Sequence, residues 1–315
     1  MAIASAPAKV ILFGEHSVVY GRHAVVTAVD LRCYVEAVRA NDFTISSPLG
    51  TTGIDFEVHP YISHAIRRFM EIRKIDGVRI NVYSEIPIAS GLGSSASVTV
   101  AVLKALCLEF GVDLSEDEIF ELGRRVELDV QGIGSGTDPF IVTFGGTWVI
   151  PDRRKLNANI ELLVVNTGEK SITAEMVRKV AELRRRHEDI VERIFDVMDS
   201  IALRGVEAIE RGDMETLGTL FFLNQCMLRA LGVSTPKIEE VIRELEEKGV
   251  FAKITGAGGG GCVIGVGNVK NVGKGFVVTS GAEGVREESS LPRFTMHERR
   301  CDEVGYSQRF GNLTL

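Results

Sequence analysis

Cysteine, tryptophan and net positive charge are all scarce in this 315-residue chain, and each scarcity excludes something. Cys33, Cys107, Cys226, Cys262 and Cys301 are odd in number and scattered, with no CxxC pair. That pattern argues against a disulfide framework or a thiolate zinc site and predicts a reducing, cytoplasmic setting. The 36 lysines and arginines are outnumbered by 43 acidic residues, for a net charge of −7. An acidic surplus excludes general nucleic-acid binding, which needs a basic face. No apolar run reaches membrane-span length, and Met1 to Pro7 lacks a charged leader with an apolar core, so no membrane segment is expected. Neither the phosphate pattern GxxxxGK[ST] nor the dinucleotide spacing GxGxxG explains the segment Ile88 to Ala96. With 45% hydrophobic and 25% charged residues, the remainder is an ordinary globular composition sized for roughly two domains.

Two glycine-rich loops stand out against this background. The first, Ile88-Ala89-Ser90-Gly91-Leu92-Gly93-Ser94-Ser95-Ala96, precedes Val98, Ala101, Val102, Ala105 and Leu106 at helical spacing. The spacing places the loop at a helix mouth, where free amides and the dipole suit a phosphate; a serine-capped helix after a glycine turn is the plainer alternative. The second, Gly256 to Gly261, lies between strand-like Lys253-Ile254-Thr255 and Cys262-Val263-Ile264 and reads as a hairpin connection. Strand-length runs are expected at Val10 to Phe13, Ala24 to Val29, Tyr34 to Val38, Phe43 to Ile45 and Val78 to Tyr83, with a helix over Tyr61 to Ile72. Ser115 and Glu118 form a capping box opening a helix whose buried stripe is Ile119, Leu122, Val126 and Val130, with Glu127 on its flank. After the Gly132 to Pro139 loop, Phe140 to Val149 reads as a strand with a glycine break. Ile172 to Leu231 reads as successive helices broken at Gly205 and Gly212, and Thr235-Pro236 opens another that Gly249 ends. Beyond Gly267 neither period persists. Taken singly, Lys9 reads as a surface lysine, Asp138 as a turn residue and His16 as a structural hydrogen-bonder.

Three segments, Pro7 to His16, the helix-mouth loop and Thr255 to Gly261, together resemble the GHMP kinases, whose three motifs occur in this order. The match spans about residues 4 to 266. The resemblance implies an α+β, two-domain GHMP kinase fold with the active site in the interdomain cleft: an ATP-binding domain over 1–152, a second domain over 153–285 and a polar tail over 286–315. It implies Asp138 as the base or orienting group at the acceptor hydroxyl, with Lys9 beside it. Ser90, Gly91, Leu92, Gly93, Ser94, Ser95 and Ala96 would cradle ATP, and Ser95 and Glu127 would share Mg²⁺. Glu15, His16, Thr173 and Gly258 would lie on the acceptor side. Gly14 to Gly21 is most similar to the branch of the family that phosphorylates mevalonate, in isoprenoid precursor synthesis. Sister kinases acting on phosphomevalonate, homoserine or a sugar, and a binding protein without turnover, are the alternatives. Homodimers are common in the family and enter as a candidate assembly.

Overall fold

In a computed structural model of the protein, residues 1–87, 90–132 and 134–292 are described. Ile88 and Ala89 of the first glycine loop, Ile133 of the Gly132 to Pro139 loop, and the tail from 293 onward lie outside them. Strand β1 (Ala2–Phe13) pairs antiparallel with the 16-residue β2 (Ala24–Arg39), so the two runs expected at Ala24 to Val29 and Tyr34 to Val38 are one strand. The intervening residues Asp30 to Cys33 extend the same apolar alternation through Leu31 and Cys33, both buried. The β1–β2 register shifts between Pro7 and Ala8, where proline cannot donate to the ladder. The strands β3 (Phe43–Ser47), β4 (Gly50–Thr52) and β5 (Val78–Ser84) complete a run in the order β1-β2-β5-β3-β4.

Helix α1 (Pro60–Ile72) starts on a proline at its first turn and buries Ile62, Ala65, Ile66 and Phe69. Helix α2 (Ser94–Phe110) is the central helix, apolar almost all round, and it packs on β1 and β2. Ala4, Ala6 and Ala8 on β1 keep side chains small there, and Ser97 Oγ donates to Pro7 O at 2.7 Å. Helix α3 (Glu116–Gln131) opens on the expected Ser115/Glu118 capping box.

The segment expected as a strand over Phe140 to Val149 is instead helix α4 (Thr137–Phe144) followed by β6 (Thr147–Ile150). Gly136 in the left-handed region forms the N-cap, and Pro139 falls in the first turn, where no amide is needed. β6 pairs with β2 and with β7 (Arg154–Leu156).

A second sheet, ordered β11-β8-β10-β9, contains β8 (Glu161–Asn166), β9 (Val250–Ile254), β10 (Cys262–Gly267) and β11 (Phe276–Thr279). Helices α5 (Thr173–Arg186), α6 (Glu188–Arg211), α7 (Met214–Ala230) and α8 (Pro236–Glu246) lie between β8 and β9 in the chain. Thr235 caps α8 as its sequence predicts. β11 had no legible period because Gly273, Gly275 and Gly281 crowd its short span. The chain then returns: β12 (Arg286–Glu288), at the start of the segment read as a tail, pairs with β1. Arg32 holds this return, donating to Glu283 O at 2.9 Å and Gly284 O at 2.7 Å.

Gly205 does not break a helix; α6 runs through it. A Cβ there would sit 2.4 Å from the Phe13 ring, so this glycine exists to let α6 approach the end of β1. Gly205→Ala should therefore destabilise the protein by about 1–2 kcal/mol, although an exposed helical position would gain from the change. Urea unfolding of both forms checks this, and a stabilised variant would contradict the packing assignment.

Candidate active site

The first glycine loop meets β1 at Lys9. The Lys9 amide donates to Leu92 O at 2.9 Å, and the Leu92 side chain is fully buried beneath the loop. Gly91 and Gly93 both adopt positive φ, 78° and 76°. Gly93 is the N-cap of α2 with no side-chain cap, so the plainer alternative of a serine-capped helix does not hold. The first-turn amides at Ser94, Ser95 and Ala96 have no intrahelical acceptor. Ser90 is turned inward, its hydroxyl donating to Pro87 O at 2.7 Å.

Lys9 is buried, and its Nζ lies 3.1 Å from Asp138 Oδ1, whose side chain is about one-third exposed. Asp138 stands in the first turn of α4, where the helix dipole favours a carboxylate. Glu127 is nearby on α3. Its Oε2 accepts from the Gly136 amide at 3.2 Å, and Ser95, Glu127, Thr99 and Tyr61 line one small cleft. Burial, then the negative charge of Asp138, pushes the Glu127 carboxyl up to about 7, with the Gly136 amide, Lys9 and Arg124 opposing. Local charge is thus one ammonium for two carboxylates. A divalent cation between hard oxygen donors at Ser95 and Glu127 would correct that imbalance, and Mg²⁺ favours such sparse protein ligation. No cluster of three or more acidic, histidine or cysteine ligands occurs among the described residues.

The second loop joins β9 to β10 as predicted and meets β1, the first glycine loop and the segment before α5. Thr255 Oγ1 accepts from the Ile11 amide at 2.8 Å and donates to Ile11 O at 3.2 Å. Gly261 closes on Ser90 O of the first glycine loop, where a Cβ would be 2.9 Å away. His16 is buried at φ 63°, and its Nε2–H donates to Ala257 O at 2.8 Å. Burial lowers its pKa, against opposing effects of that bond and of Glu15. Ser171 Oγ donates to Gly258 O at 2.7 Å, and Met176 lies against Gly259, so the first turn of α5 with exposed Thr173 rests on the loop. Glu15 lies behind His16 rather than beside open space. Its side chain is 0% exposed, paired with Lys253 Nζ and accepting from Asn224 Nδ2 at 2.9 Å.

Lys9, Asp138, Glu127 and Ser95 thus gather at the α2 mouth, and His16, Thr173 and Gly258 gather around the second loop. Sequence reasoning missed Lys253 and Asn224. A lysine inside the apolar run Val250 to Ile254 was the available signal.

Among known families, the GHMP kinases N terminal domain matches residues 60–146 and the GHMP kinases C terminal domain matches 206–273. The mevalonate kinase of Archaeoglobus fulgidus is 53% identical over 286 residues, covering 91% of this chain and 99% of that protein. The crystal structure of the Methanococcus jannaschii mevalonate kinase superposes with a TM-score of 0.76 at 34% identity, over 85% of this chain and 91% of that one. The L. major mevalonate kinase in complex with R-mevalonate gives 0.74 at 25% identity, over 85% and 87%.

The raised Glu127 value makes a pH-dependent prediction for metal-free protein. Its folded-state pKa, about 7, lies above the ordinary 4.5, so the stability from holding its proton is full below about 4.5 and lost as pH rises toward 7. The melting temperature of Glu127→Gln, relative to the parent, should rise by about 2–5 °C between pH 5 and pH 8. An offset that stays constant across that range would refute the shift.

Proposed function

Since the chain belongs to the GHMP kinases, and within them to the mevalonate kinases, we propose that it transfers the γ-phosphoryl group of ATP to the primary hydroxyl of mevalonate. ADP and 5-phosphomevalonate are the products, in isoprenoid precursor synthesis. The observation that carries this reading is the buried Lys9 beside Asp138, 3.1 Å apart, at the open mouth of α2.

Phosphoryl transfer requires neutralised phosphate charge, an aligned nucleophile and an acceptor for its proton. The free amides at Ser94 to Ala96 and the positive end of α2 receive the triphosphate, with Gly91 and Gly93 allowing close approach. Ser95 and Glu127 would hold Mg²⁺, which would supply neutralisation of the phosphate charge. Asp138 accepts the proton of the mevalonate hydroxyl as its oxygen bonds to the γ-phosphorus. The bond to the bridging oxygen breaks in the same displacement, and ADP leaves with that electron pair. Lys9 orients Asp138 through their 3.1 Å contact. Proton loss comes late, when the alcohol oxygen has already become acidic. His16, Thr173 and Gly258 border the acceptor, with Glu15 behind them. The described cysteines are free thiols, which supports a cytoplasmic location. No helix among the described residues is long and apolar enough to cross a membrane.

ADP release with Mg-ATP and a panel of mevalonate, phosphomevalonate, homoserine and galactose tests the assignment. Mevalonate is expected to be the acceptor that turns over, and turnover of another acceptor in its place would overturn it. Asp138→Asn should lower kcat by about 10²–10⁴-fold with nucleotide binding retained. Ser95→Ala and Glu127→Gln should instead raise the Mg²⁺ concentration needed for half-maximal rate. Near-normal kcat in Asp138→Asn would remove its proposed role.

A further inference from the structure

We propose that Lys253, with Asn224, is a positioning residue that sets the active-site segment Ile11 to His16 without meeting a substrate; the kinetic part rests on the function proposed above. Lys253 is 0% exposed and lies inside strand β9, where an apolar side chain would ordinarily sit. Its ammonium has three protons and three acceptors: a Glu15 carboxylate oxygen, Ile254 O at 2.5 Å and Ile11 O at 3.4 Å. The charge also lies over the Phe221 ring, with Nζ 5.6 Å from its centroid.

The second Glu15 oxygen takes the Asn224 amide, leaving Asn224 Oδ1 buried with no partner among the described residues. Reversing that amide would set Oδ1 against the carboxylate, so the orientation is forced. A buried acceptor left unpaired costs stability. The arrangement therefore favours a fixed Glu15 over a fully satisfied interior.

Both ends of the 11–16 segment end up on one strand and its loop. Ile11 is held by Lys253 and Thr255, Glu15 by Lys253, and His16 by Ala257 O. Lys9 lies two residues before Ile11 on the same strand, so its side chain shares that face. A shift of this segment would move Lys9 and His16 together relative to Asp138 and the phosphate loop.

Two variants, Lys253→Met and Asn224→Ser, test the assignment with two readouts. In steady-state kinetics, kcat/KM for mevalonate should fall roughly 10- to 100-fold in Lys253→Met, the loss expected for reacting groups misplaced by about an ångström. Asn224→Ser, which retains the ion pair and is the safer variant to fold, should lose roughly tenfold. KM for ATP should stay within about twofold, because α2 is held by its own packing. In amide hydrogen exchange, residues 11–18 should exchange faster while α2 amides remain as in the parent. A purely structural role would lower the folded fraction and maximal rate but leave acceptor KM and local exchange unchanged; that result overturns the proposal. If the parent protein does not phosphorylate mevalonate, the functional reading falls, and the exchange measurement still decides the role of Lys253. If Lys253→Met does not fold, Asn224→Ser decides it alone.

Discussion

Lys9 can reach Asp138 because Gly93 has no side chain: a Cβ there would lie 2.8 Å from Lys9 Cγ. The lysine stem occupies the space that any other residue at the helix mouth would fill. The same glycine adopts the positive φ that turns the loop into α2 and leaves the first-turn amides uncapped. Geometry for anion binding and geometry for the buried ammonium are thus one constraint. The Lys9 amide to Leu92 O bond closes it from the other side, fixing the loop to β1 through backbone atoms. The Lys9–Asp138 contact and the uncapped helix mouth both depend on β1 and α2 meeting at this distance, which the small residues Ala4, Ala6 and Ala8 allow along the rest of the contact.

Charge within that contact is deliberately unequal. One ammonium faces two carboxylates, and geometry gives it to Asp138. Glu127, deeper and further from Lys9, carries the cost as a carboxyl pushed up to about 7. Two acids in neighbouring positions therefore stand in different surroundings: Asp138 is paired with the ammonium, and Glu127 is not. The absence of a loop lysine follows from this division. Positive charge at the helix mouth comes from Lys9 on β1, leaving the loop backbone free of a side-chain cation.

Much of this was legible in the sequence because short-range signals were strong. The capping box at Ser115 and Glu118, the helix after Ser94 and the hairpin at Gly256 to Gly261 each follow from local spacing. Phe140 to Val149 misled because an eight-residue buried helix and a buried strand look alike as apolar runs, and the deciding feature was the first-turn position of Pro139. Gly205 misled for a different reason: its requirement comes from Phe13, nearly two hundred positions away, and no local pattern carries it. Lys9 and Asp138 look ordinary as single residues. Only the joint presence of three motifs, each brought to the others by tertiary contacts, singled them out.

The glycines of the second loop are explained by the same long-range logic rather than by flexibility. A Cβ on Gly258 would lie 2.5 Å from Val233 O, and one on Gly260 would lie 2.8 Å from both Glu169 O and Lys170 O. The backbone of this hairpin is surrounded on successive sides by the strap before α5, the turn before α8 and the phosphate loop. A loop free in solvent would lose conformational entropy on ordering with no such contacts to offset it. Here the missing side chains allow backbone atoms from separate parts of the chain to share one small volume. The first glycine loop and the segment before α5 are consequently referenced to a single piece of backbone.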